Sequence, residues 1–225
     1  CFPKDVRSLI KTANLVESLG RKCSTHIYDV SKKTNIDKMV DEFLEFHGNI
    51  DVLVNNAIMQ PQNKPFFEID EEWWDYMMDL SLKGYFFAAQ KASKEMIERK
   101  TAGSIICISS VHSYRAAEDW TPYGIAKIGT RRMVKGLAAD LANTGINANC
   151  IAPGWINNTI PKSDQVEPES MPAPWVPAGR QGLPSDIANA VVFLSSKMGE
   201  YVNGETLLVD GGMIATGLGT GRPND

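Results

Sequence analysis

The sequence predicts an α/β fold, a parallel sheet with helices on both faces. Three observations carry that expectation. Short apolar runs alternate with longer runs of helical period, which is the pattern of βαβ units. The chain has 225 residues, 43% of them hydrophobic, enough for one sizeable core and a single domain. Asp29, Asn55, Ser110 and Pro153 stand at the carboxyl ends of the strand-like runs, where sheets of this kind bind ligands. Right-handed crossovers then make the sheet doubly wound and Rossmann-like.

Each element follows from its own stretch. "CSTHIYDV" (23–30) reads as a strand. "NIDKMVDEFLEFHG" (35–48) reads as a helix with Ile36, Met39, Val40, Phe43 and Leu44 on one face and Gly48 closing it. "IDVLVNN" (50–56) is a buried strand. The run 69–100 reads as one long helix, acidic at its start and basic at its end as the helix dipole prefers. "GSIICISS" (103–110) is a strand, 121–143 a helix and "INANCIAP" (146–153) a strand. "PSDIANAVVFLSS" (184–196) is a helix with Pro184 and Asp186 in its first turn, and "ETLLVDGG" (205–212) is the last strand. Residues 155–182 break this rhythm, being proline-rich and weakly periodic. A long segment after a strand's carboxyl end suits a lid over a site, with Trp155 and Trp175 as its apolar inner surface. The plainer reading is a surface loop.

The bulk numbers exclude several classes. A net charge of -4 and no basic stripe leave no footprint for nucleic acid or an anionic membrane. No apolar run approaches the roughly 20 residues that a membrane span needs. Cys1, Cys23, Cys107 and Cys150 share no metal-ligand spacing. Cys23, Cys107 and Cys150 fall in or beside apolar runs and read as reduced core residues of a cytoplasmic protein. His26, His47 and His112 suggest no metal site.

"TPYGIAKIG" (121–129) places Tyr123 and Lys127 four residues apart, on one face of their helix. A free tyrosine titrates near pH ~10, and a nearby ammonium lowers that value. Such a phenol exchanges a proton with a substrate hydroxyl or carbonyl. Ser110, at a strand end on the same edge of the sheet, is placed to hold the substrate oxygen. No side chain carries hydride, so this set calls for a nicotinamide.

With these residues in view, 5–213 resembles the short-chain dehydrogenase/reductase (SDR) family. "DVLVNNA" (51–57) is similar to the family's strand-end Asn-Asn-Ala-Gly motif, and "SIICISS" followed by "YGIAK" to its catalytic serine and Tyr-x-x-x-Lys. "IAPGWI" (151–156) resembles its Pro-Gly turn, and "GLPSDIANAVVFLSS" with "VNGETLLVDGG" its last helix and strand. The resemblance implies Tyr123 as general acid/base, Lys127 as the cation that lowers its pKa and binds the nicotinamide ribose, and Ser110 as the substrate-orienting group. It implies Asp29 and Val30 against the adenine of NAD or NADP, Asn56 and Ala57 along the ribose region, and Ile156 at the carboxamide. His112 and Trp155 are candidate substrate contacts, with Tyr114, Trp120 and Trp175 behind them. The helices at 69–100 and 121–143 carry surplus apolar residues, among them Trp73, Trp74, Tyr85 and Phe86. The family pairs these helices across a two-fold axis, which implies a homodimer or homotetramer.

The chain departs from the family in four places. No Thr-Gly-x-x-x-Gly-x-Gly turn precedes residue 20, so the N-terminal βαβ portion reads as missing. The glycine-rich tail 214–225 contains Thr-Gly-x-x-x-Gly, but Pro223 bars a following helix. Ser81 stands where the family carries an asparagine that organises a water beside the lysine. Ile58 replaces the motif's last glycine, while Asn158 takes a usual threonine position and Thr159 comes one place late. The expected function is an NAD(P)-dependent oxidoreductase interconverting a secondary alcohol and a ketone of sugar, polyol or oxoacyl type. The alternative is a catalytically impaired dehydrogenase-like oligomeric scaffold or binding protein.

Overall fold

A computed structural model of the chain describes residues 6–159 and 167–217. Cys1, the tail from 218 and residues 160–166 of the expected lid lie outside the described residues. Four strands form one parallel sheet in the order β1 (Val52–Asn55), β2 (Gly103–Ile108), β3 (Ile146–Pro153) and β4 (Thr206–Val209). Ile105, Ile106 and Cys107 of β2, and Ala148, Cys150 and Ile151 of β3, have no exposed surface. Strands covered on both faces must be apolar on both, which is why these two lack alternation.

The helices are α1 (Val6–Ser18), α2 (Lys33–His47), α3 (Glu71–Met78), α4 (Gly84–Glu98), α5 (Thr121–Asp140) and α6 (Pro184–Ser195). The expected stop of α2 is present: Gly48 adopts φ 83° and its N–H donates to the Leu44 carbonyl. Asp70 caps α3 by accepting from Trp73 N, with Glu71 and Glu72 in the first turn. Ile105, Cys107, Ala148 and Cys150 face α2, α4 and α5. Ile106, Ile108 and Ile151 point the other way, onto α6. Successive strands advance in one direction, yet α4 and α5 lie on one face and α6 on the other. The last crossover therefore has the opposite hand to the two before it. Right-handed crossovers, expected throughout, are the general rule. The long connection from β3 to α6 makes the exception possible, because it starts at the carboxyl end of β3 and ends on the far face.

Three expectations change. Residues 23–30 form no strand. No described strand stands beside them to pair with their N–H and C=O groups, and Ile27 is exposed while Cys23 is only half-buried. The single helix over 69–100 is α3 and α4 joined by a π-helical segment, Asp79–Lys83. A Cβ at Gly84 would collide with the Val30 carbonyl oxygen, so the backbone runs hard against that residue. In the wide turn the Ser81 carbonyl accepts from Thr130 Oγ1 at 3.4 Å. Tyr85, read as a surplus surface residue, is 1% exposed and belongs to the core. Trp74 and Phe86 are exposed as expected, and Trp73 packs beside Met77 and Leu80.

Residues 155–159 and 167–182 carry more structure than their composition suggests. Ile156 bridges to Gly182 and Pro172 to Arg180. Ala173 and Val176 are buried with Met213, which fixes the segment to the chain after β4. Cys107 and Cys150 are buried free thiols, as expected.

Candidate active site

The site sits at the carboxyl end of β2. Ser109 and Ser110 leave that strand, and Pro122 opens α5 so that Tyr123 and Lys127 face them. Ser109 Oγ donates to the Lys127 carbonyl at 2.9 Å and ties the helix to the strand end. Ser110 Oγ accepts from His112 N at 3.2 Å, and Ser110 and Tyr123 line the same cleft.

Lys127 is 2% exposed, and no carboxylate lies beside it among the described residues. Its ammonium donates to the Ile108 carbonyl at 2.8 Å and to Tyr85 Oη at 3.4 Å. It also stands 5.0 Å from the Tyr85 ring centre and 5.6 Å from that of Tyr123. Burial without a counter-charge brings its pKa down to about 8. The Tyr85 hydroxyl donates in turn to the Ala57 carbonyl at 3.0 Å, and Asn55 Nδ2 holds the Tyr85 carbonyl at 3.1 Å. Ser81 is fully buried and turns its hydroxyl to Met77 Sδ at 3.5 Å, away from the lysine. Tyr85 thus fills the lysine's polar environment where Ser81 does not.

The Tyr123 phenol stands above its ordinary pKa, not below it. Burial raises it and the nearby Ser110 hydroxyl opposes the rise. The expected lowering by Lys127 is absent because the ammonium points to the Ile108 carbonyl and Tyr85.

These residues open on a cleft of about 820 Å³. Of the predicted site residues, Ser110, Tyr123, Lys127, Asn56, Ile156, His112 and Trp155 all line it. Asp29, Val30 and Ala57 do not. Asp29 accepts from Ser31 N, Val30 packs in the core, and Ala57 presents its carbonyl to Tyr85. Trp120 lines the cleft and stacks on His112, with ring centres 4.3 Å apart. Tyr114 instead stacks on Arg131, and Trp175 on Trp155. Sequence reasoning missed Ser109, Tyr85 and Arg115. A second serine beside Ser110 was a readable signal, and so was a hydroxyl one turn beyond Ser81. Nothing in the sequence marked Arg115. Among the described residues no cluster of metal ligands occurs, and no helix is long and apolar enough to cross a membrane.

A parallel sheet with a serine, a tyrosine and a buried lysine converging at its carboxyl edge defines the dehydrogenase class of α/β proteins. Residues 5–214 match the family model described as enoyl-(acyl carrier protein) reductase, and the chain belongs to the short-chain dehydrogenase/reductase family. It is similar to 2-dehydro-3-deoxy-D-gluconate 5-dehydrogenase of Escherichia coli, 36% identical over 209 residues that cover 91% of this chain and 81% of the relative. It is 35% identical over 202 residues to the 3-oxoacyl-[acyl-carrier-protein] reductase FabG of Chlamydia muridarum, covering 89% and 80%. Among solved structures, acetoin dehydrogenase YohF from Salmonella typhimurium superposes with a TM-score of 0.87 at 29% identity, covering 94% of this chain and 83% of that one. The protein is an oxidoreductase, and its cofactor is NAD or NADP.

The site's donors fit the nicotinamide end of that cofactor. An ammonium has three N–H donors, and two of those on Lys127 are engaged within the described residues. The third remains for a ligand in a cleft with ample room.

Proposed function

We propose that the protein interconverts a secondary alcohol and a ketone, with Tyr123 as general acid/base, Ser110 orienting the substrate oxygen and Lys127 holding the nicotinamide ribose. One observation supports this above the others: Ser110, Tyr123 and the buried ammonium of Lys127, which has no counter-charge beside it among the described residues, share one cleft. A bound nicotinamide supplies or accepts the hydride. The phenol is protonated at neutral pH and suits proton donation to a ketone oxygen, while Ser110 donates a hydrogen bond to the same oxygen. Oxidation of the alcohol reverses both steps. Asn56 and Ala57 would lie along the ribose, Ile156 at the carboxamide, and Asp29 with Val30 toward the adenine. His112 and Trp155 would meet the substrate.

The relatives name a ketogluconate-type substrate and an oxoacyl thioester, so sugar, polyol and oxoacyl types all stay within the proposal. Residues 155–182 form the lid of a single domain, supported by Trp155 and Ile156 in the cleft wall. Exposed Trp74 and Phe86, with Ile125 and Ile128 of α5, support a homodimer or homotetramer. Three unbridged cysteines support a cytoplasmic setting. The test mixes NADH or NADPH with a panel of ketones and follows loss of nicotinamide absorbance. Neither turnover nor a nicotinamide fluorescence change on cofactor titration would favour the scaffold alternative.

A further inference from the structure

Arg115 follows the turn that begins at Ser110 and lines the cleft beside His112 and Trp120. It is partly buried, and among the described residues its guanidinium has no side-chain, carbonyl or ring partner. Arg131, also partly buried, makes the contrast. It donates to the Ser113 carbonyl at 2.7 Å and lies 3.5 Å above the Tyr114 ring. Among the described residues the cleft wall contains no Asp or Glu, although the chain carries 27 acids against 23 Lys and Arg. Its only fixed charges among the described residues are Arg115 and Lys127, and Lys127 is held by the Ile108 carbonyl and Tyr85. His112 adds a neutral face, since burial and then Arg115 hold its pKa below the ordinary value. Its buried Nδ1 has no partner.

The Arg115 guanidinium is partly buried and meets no acceptor among the described residues, so its five donors are available to a ligand in the cleft. A planar carboxylate accepts from a guanidinium through two parallel bonds and would engage two of those donors in one fork. We infer that the cleft takes a hydroxy or oxo acid, and that Arg115 reads its carboxylate; this rests on the oxidoreductase reading of the same cleft. A phosphate ester fits less well, because its two charges would meet one available cation. A cofactor phosphate fits less well too. Arg115 lies on the His112–Trp120 side, whereas Asp29 and Val30, the residues proposed for the adenine end, are outside the cleft wall.

Two matched pairs test the inference: gluconate against glucitol, and 3-hydroxybutyrate against 2-butanol. Each pair differs chiefly in the carboxylate. In at least one pair, kcat/KM should favour the acid. In Arg115→Gln that preference should fall roughly ten- to a hundredfold, chiefly through KM, as the loss of a charge-assisted pair predicts. Arg115→Lys keeps the charge but not the fork and should recover part of it. A parallel titration of tryptophan fluorescence with the same compounds needs no turnover, since Trp120 lines the cleft. Acid-selective binding that depends on Arg115 without any turnover would sink the oxidoreductase mechanism and leave the carboxylate site standing. Equal handling of acid and neutral partner in both pairs, or an unchanged preference in Arg115→Gln, overturns the inference. So does a change in NADPH over NADH preference, which would assign Arg115 to the cofactor.

Discussion

Residues 23–30 and 103–108 look alike as sequence: short, mostly apolar or β-branched, each with one cysteine. One is the spine of the sheet and the other is an extended run with no ladder. The difference lies in their neighbours. β2 pairs with β1 on one side and β3 on the other, and helices cover both of its faces. Residues 23–30 have no described strand beside them. A strand is a relation between segments, so local pattern identifies candidates and pairing decides among them.

The sharpest way to break this comparison is chemical. If the paired region alone places the reacting groups, Tyr123→Phe should lower turnover by roughly 10²–10⁴-fold with the melting temperature unchanged. Near-normal rates in a steady-state assay would remove Tyr123 from the chemistry. The next test is mechanical. Ile106→Ala, at a fully buried position in β2, should cost about 2–5 kcal/mol, whereas Ile27→Ala should stay within about 0.5 kcal/mol. Denaturant titration of the two variants measures both, and equal losses would mean that 23–30 is packed in solution.

A third prediction separates stability from function inside the paired region. Lys127 has a folded pKa of about 8 against an ordinary 10.5. Its burial therefore opposes folding at full strength below pH 8, and the cost disappears as pH rises from 8 toward 10.5. Lys127→Met removes the charge and keeps most of the stem. The variant should be more stable than the parent at pH 7 by roughly 1–3 kcal/mol and should lose turnover. Thermal melts across pH 7–10.5 should show the gap narrowing, and a gap independent of pH would contradict the assignment. The smallest effect concerns Tyr85→Phe, which keeps the packing and removes one acceptor from the ammonium. Lys127 should then lose its proton more readily. Turnover at pH 7 should fall about tenfold or less, and the alkaline limb of the pH–rate profile should move to lower pH. An unmoved limb would reduce Tyr85 to a packing residue.

The fold was legible wherever local chemistry suffices. β3 was readable to the residue because "INANCIAP" is buried on both faces, and the end of α2 was readable because Gly48 takes φ 83°, which other residues resist. Ser110, Tyr123 and Lys127 were legible because helical spacing and a strand end put them on one rim. Tyr85 was not. Reading 69–100 as an unbroken helix places it with the outward residues, but each π turn inserts a residue and rotates everything after it by about 100°. The partners of Lys127 and the isolation of Arg115 were illegible for a related reason, since both depend on contacts across the chain and not along it.

The connection from β3 to α6 changes faces of the sheet, and its near end is pinned to the rim through Ile156 and Gly182. Its middle is fastened elsewhere. Ala178 N donates to the Gly211 carbonyl at 3.0 Å, and Ala173 and Val176 enclose Met213. Cβ atoms at Gly211 and Gly212 would press on Val176 and Pro177, so the two stretches touch backbone to side chain with no slack. The described strap, 167–182, and the chain that leaves β4 thus share one packed seam. Trp155 in the cleft wall stacks on Trp175, and Val176 beside it meets Gly211, so a side chain added at 211 would press on a line of contacts that ends at the mouth of the cleft.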